Sequence, residues 1–103
     1  MKKTKVVIDN EKLRVSSDIT RALAHPLRLQ ILKYIDDKGA TNVNKIYNTL
    51  RIEQSITSQH LKVLRMAGVV SAVKEGKFVH YKINYDLVAR AEQAVSNFCR
   101  AIS

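Results

Sequence analysis

The sequence predicts a mainly α fold with a small β-hairpin, and three stretches between Arg21 and Asn84 lead to it. RALAHPLRLQILKYI repeats apolar residues at helical spacing on either side of a proline. SITSQHLKVLRMAGVV repeats them again, with one polar and one apolar edge. SAVKEGKFVHYKIN is rich in β-branched and aromatic residues around a central glycine. Helix, turn, helix and then a Gly-tipped basic hairpin is the order of a winged helix-turn-helix: four helices, two strands and a last helix.

Residues 1–9 read as a short arm. A first helix is expected over about Asn10–Ala24, where Val15, Ile19, Ala22 and Leu23 share a face and Asp9 or Asn10 can cap the first turn. Pro26 ends that pattern and suits the first turn of a second helix, where its missing N–H leaves no bond unmade. Leu27, Ile31, Leu32 and Ile35 mark the inner face of that helix, and Gly39 stops it. Ala40–Val43 can add a short extended segment. A third helix then starts near Thr41 or Asn42 and turns Val43, Ile46, Tyr47 and Leu50 inward. Arg51–Gln54 form the turn, a fourth helix covers Ser55–Ala67, and Gly68 closes it. Strands Val69–Lys74 and Lys77–Ile83 meet at Glu75-Gly76. Asn84 opens the last helix. There is no repeat, linker or low-complexity segment, so residues 1–103 read as one domain.

With 103 residues, 46% hydrophobic and 26% charged, the chain is sized for one modest core. No apolar run approaches the roughly 18 residues needed to span a bilayer. The basic N-terminus lacks the apolar stretch of a secretory signal. The expected compartment is the cytoplasm, which suits a single Cys99 without an intrachain partner. Net charge is +9, which favours a polyanionic partner through counterion release. Residues 51–82 hold six basic residues and two acidic ones without a long basic run. That distribution suits a shaped basic face better than a disordered tail.

In the fourth helix Thr57, His60, Leu61, Leu64 and Gly68 follow the core-facing period, while Ser55, Ser58, Gln59, Lys62 and Arg65 lie opposite. Short hydroxyls and an amide near a helix N-terminus suit base edges, and the later Lys and Arg suit phosphates. The candidate DNA-binding set on this helix is Ser55, Thr57, Ser58, Gln59, His60, Lys62 and Arg65. Any surface helix has a polar face; the preceding helix, the tight turn and the adjacent hairpin argue for DNA. At the hairpin, Lys74, Gly76 and Lys77 are the candidate wing contacts, able to grip the backbone or enter a minor groove.

RALAHPLRLQIL, SITSQHLKVLRMAGVV and EGKFVHYKI together resemble the ArsR/SmtB-type winged-helix repressor family over about Arg21–Asn84. The resemblance implies a homodimer that binds an imperfect palindromic operator in double-stranded DNA, represses transcription and is released by an effector. His25 stands where family sequences commonly have Asp. Many members sense metals through Leu-Cys-Val-Cys at the start of the third helix; here Thr41, Asn42, Val43 and Asn44 stand there. A second family site uses Asp and His on the last helix, which here offers Asp86 and Glu92 but no His. Both departures argue against the commonest effectors.

His25, His60 and His80 have no metal-ligand spacing, so no metal and no cofactor are expected. Val88, Ala91, Val95, Phe98 and Ile102 form an apolar stripe on the last helix, with Cys99 beside them as a candidate redox thiol. Such a stripe can pack onto its own subunit or onto a partner, and the family likeness decides for a dimer surface shared with the first helix. The expectation is therefore a sequence-specific regulator, read as a repressor, whose effector is unknown. A winged helix used only for protein contacts, as a heterodimer partner or anti-repressor without operator binding, is the alternative. An enzyme is not expected, since no phosphate loop, metal cluster or nucleophile–base pair appears.

Overall fold

A computed structural model describes residues 10–102, with the side chains of residues 10–13, 15, 16, 95, 98, 99, 101 and 102 outside that description. The elements in chain order are α1 (Asn10–Leu23), α2 (Pro26–Lys38), β1 (Thr41–Asn42), α3 (Val43–Leu50), α4 (Gln54–Met66), β2 (Val70–Glu75), β3 (Phe78–Ile83) and α5 (Tyr85–Ile102). The expected arm at residues 1–9, and a cap from Asp9 or the Asn10 side chain, lie outside the described residues.

Helix boundaries follow from local chemistry. His25, in an extended conformation, caps α2 by accepting the Leu27 N–H on Nδ1 at 3.2 Å, and Pro26 follows in the first turn. Gly39 ends that helix at φ 81°, its N–H bonded to the Ile35 carbonyl at 2.8 Å. Asn42 caps α3 through Oδ1, which accepts the Lys45 N–H at 3.0 Å. Asn84 does the same for α5 with the Leu87 N–H at 3.2 Å.

The extended segment expected near Ala40 is a strand of only two residues, but it completes a three-stranded antiparallel sheet in the order β1-β3-β2. Thr41 lies opposite Tyr81 and Asn42 opposite His80. The hairpin differs from its expected register: Glu75 pairs with Phe78, so the loop is Gly76-Lys77 instead of Glu75-Gly76. Only its first position has positive φ, the pattern of a type II′ turn that matches strand twist.

Ile19 and Ala22 of α1, Ile31, Leu32 and Ile35 of α2, Ile46 of α3, Leu61 and Leu64 of α4, Val69 and Val70 beside the sheet, and Ala91 of α5 form one buried cluster. The five helices and β2 therefore share a core, with Tyr81 and Ile83 of β3 packed against it, and α1 packs along α5 at its edge. Gly68 turns the chain from α4 into the sheet at φ +84°, and a Cβ there would meet Leu87 Cδ2 at 2.5 Å. With no side chain at Gly68, the Leu87 side chain of α5 reaches the chain just past the end of α4. Gly68→Ala puts an alanine in the left-handed region and makes the Leu87 methyl turn aside, and it is expected to cost about 1–2 kcal/mol, read from urea unfolding. An unchanged midpoint would refute a left-handed turn at this position.

Candidate nucleic-acid interface

The two edges of α4 are separated as its period requires. Thr57, Leu61 and Leu64 are buried, whereas Ser55, Ser58, Gln59, Lys62 and Arg65 are exposed. The polar edge is therefore held outward by an apolar back.

Two expected DNA contacts are corrected. Thr57 is 0% exposed and its hydroxyl donates to the Glu53 carbonyl at 3.0 Å, so it cannot reach a base. His60 is half-buried and engaged by α2: its Nδ1 accepts from Arg28 Nε at 3.3 Å, and its ring centroid lies 4.5 Å from that of His25. Arg28 also donates to the Ala22 carbonyl at 3.2 Å, tying α1, α2 and α4 together. The sequence reading missed Arg28. Its one signal was its place a turn after His25 on the α2 face next to the fourth helix. In both histidines Nδ1 accepts a hydrogen bond, so the neutral rings carry their proton on Nε2. Burial is the main cause that lowers the His60 pKa, followed by the charges of His25 and Arg28.

The wing places Lys74, Gly76 and Lys77 at an exposed tip, with nothing near the Cβ position of Gly76. Glu75 and His80 approach to 3.7 Å on one face of the hairpin, an ion pair when His80 is protonated. Val73 and Phe78 lie on that face too and are each 48% exposed, an apolar outer edge that lysine-based reasoning did not foresee.

On the expected dimer stripe, Val88 is half-buried against the chain's own core. Ala91, 8% exposed, belongs to that core, so its assignment to a partner surface is corrected. The side chains of Val95, Phe98, Cys99 and Ile102 lie outside the described residues. Where the family resemblance would put sensor cysteines, Asn42 serves as a helix cap and Asn44 is exposed. Among the described residues no three His, Cys, Asp or Glu side chains gather closely enough to hold a metal ion, and no helix is long and apolar enough to cross a membrane.

A helix-turn-helix with an outward polar edge beside a basic wing defines a DNA-binding transcriptional regulator. The profile described as "Bacterial regulatory protein, arsR family" matches residues 25–72. An uncharacterized HTH-type transcriptional regulator of Methanocaldococcus jannaschii is 40% identical over 78 residues, covering 76% of this chain and 88% of that protein. The HTH-type transcriptional repressor SmtB of Mycobacterium tuberculosis is 34% identical over 73 residues, 71% of this chain and 53% of the repressor. Among solved structures, the transcriptional repressor PagR of Bacillus anthracis superposes with a TM-score of 0.72 at 28% identity, covering 82% of this chain and 98% of that one. The chain belongs to the arsR family of bacterial regulatory proteins.

The lowered His60 pKa has a consequence for stability. Because the folded state favours the neutral ring, the stabilisation is complete above the ordinary histidine pKa of 6.5 and is lost as pH falls through 6.5 toward the lower folded value. Melting temperature is expected to drop over that acid range, and His60→Gln to lose that part of the slope. Thermal melts across pH check it; identical slopes in the two proteins would exclude His60 as a source.

Proposed function

We propose that the chain is a dimeric, sequence-specific repressor that binds an imperfect palindromic operator. In this reading the N-terminal half of α4 enters the major groove, with Ser55, Ser58 and Gln59 at base edges. Lys62 and Arg65 neutralise phosphates as the helix leaves the groove. Lys74 and Lys77 grip the backbone from the wing, with Gly76 leaving the tip slim enough for a neighbouring minor groove. The observation that carries the reading is the exposure of Ser58 and Gln59 on a helix whose Thr57, Leu61 and Leu64 are buried.

The dimer would use α1 and the part of α5 beyond Ala91, whose Val95, Phe98 and Ile102 continue the apolar stripe in sequence. A two-fold pair would set its recognition helices in successive major grooves, about 34 Å apart. The relatives named as repressors support repression as the output. We also propose that the chain lacks both usual metal-sensing sites, since a capping Asn42 replaces a thiolate and the last helix has no histidine. A regulator of this kind acts where the chromosome lies, and we place it in the cytoplasm. The protein-contact-only alternative is not favoured: it leaves the polar edge of α4 and the +9 charge without a use.

Selection of bound duplexes from a random pool should return two-fold symmetric sites, and asymmetric sites would overturn the dimer reading. Against a selected site, Gln59→Ala is expected to relax preference at one base pair per half-site by about 1–3 kcal/mol. Lys77→Ala should weaken binding to all sequences and reduce the log-affinity against log-salt slope by about 0.9 per half-site. Gel-shift titrations in which both variants match the unmodified protein would refute the placement.

A further inference from the structure

We propose that Arg51, in the turn between α3 and α4, is a phosphate-contacting residue of the DNA interface; this rests on the DNA-binding reading given under Proposed function. Arg51 occupies the left-handed region at φ 57° and ψ 47°. Among the described residues it is the one non-glycine residue with positive φ; the others are Gly39, Gly68 and Gly76. Its N–H closes α3 by bonding to the Tyr47 carbonyl. That is a terminating role glycine performs without strain and asparagine with little. An arginine there holds the backbone in a region its Cβ disfavours.

Nothing in the fold offsets that strain through the side chain. Arg51 is exposed, and among the described residues its guanidinium has no hydrogen bond or ion pair, the nearby Glu53 included. What the position does offer is placement. It lies three residues before Gln54, where α4 begins, and so beside the end of the helix that carries Ser55, Ser58 and Gln59. A residue flanking the groove-entering end of a recognition helix meets the sugar–phosphate wall of that groove. A guanidinium matches a phosphate there with paired, charge-assisted hydrogen bonds. The strained backbone and the idle, outward cation are explained together if the side chain is kept for DNA at some expense of stability.

The test compares the full chain with Arg51→Gly, Arg51→Asn and Arg51→Lys on mixed-sequence duplex DNA between about 50 and 200 mM salt, alongside thermal melts. Arg51→Gly is expected to melt no lower than the unmodified protein. Arg51→Gly and Arg51→Asn should both show a salt slope shallower by about 0.9 per half-site, which is about fivefold weaker binding per half-site near 0.15 M salt. Arg51→Lys should keep the slope. An unmodified slope in Arg51→Asn, or a lower melting temperature for Arg51→Gly, would overturn the assignment and leave the DNA reading intact. Absence of salt-dependent affinity in the unmodified chain would instead bring down the DNA reading itself.

Discussion

Everything on the proposed DNA-facing side depends on how firmly the back of α4 is buried. Thr57, Leu61 and Leu64 are each 1% exposed or less, and the two leucines share a cluster with Ile31, Ile35 and Ile46 from the two preceding helices. Burying a leucine side chain is worth about 1.5–3 kcal/mol, whereas exposing Ser58 or Gln59 costs almost nothing. Rolling the helix about its axis would therefore forfeit several kcal/mol and gain none. The direction in which Gln59 points is set by residues on the buried side of the helix.

Apolar burial fixes which face turns inward but not the tilt of the helix, which a polar tie at its middle helps to set. Arg28 joins the end of α1, through the Ala22 carbonyl, to His60 in the middle of α4, and His25 caps α2 beside them. Hydrogen bonds have angular requirements that methyl contacts lack, so this small group specifies orientation at a net worth of about 1 kcal/mol per bond. At the C-terminal end of α4, Gly68 lets Leu87 of α5 rest on the chain.

Much of this was legible in the sequence because the signals are local. Pro26 and Gly39 bracket α2, Asn84 opens α5, and the period of Thr57, Leu61 and Leu64 gave the inward face of α4. The reading went wrong where one residue type answers to two environments. Thr57 and His60 lie on the inner stripe by spacing, yet a hydroxyl and an imidazole also suit bases, and only burial and the Arg28 bond decide between these roles. Ala91 failed for a related reason: a stripe near 3.5 spacing does not say whether its own core or a partner covers it. Strand β1 was half legible, since two residues make no period and its pairing with β3 spans almost forty positions. The left-handed turn at Arg51 was invisible because its usual marker, glycine, is missing.

Gly68 lets the Leu87 side chain of α5 come close to the chain where it leaves α4. The leucine side chain meets a position with no side chain, and backbone bonds tie the same junction: Val69 N–H donates to the Leu64 carbonyl at 2.9 Å and Asn84 N–H to the Val69 carbonyl at 2.8 Å. The start of α5 is thus registered to the recognition helix through backbone, and the wing grows from the same junction at Val70. Helix α4, the wing and the first turn of α5 thus meet at one junction. The polar edge of α4 and the basic tip at Lys77 both extend from that junction, so in the proposed DNA complex the fold would set the spacing between groove-facing and backbone-facing groups.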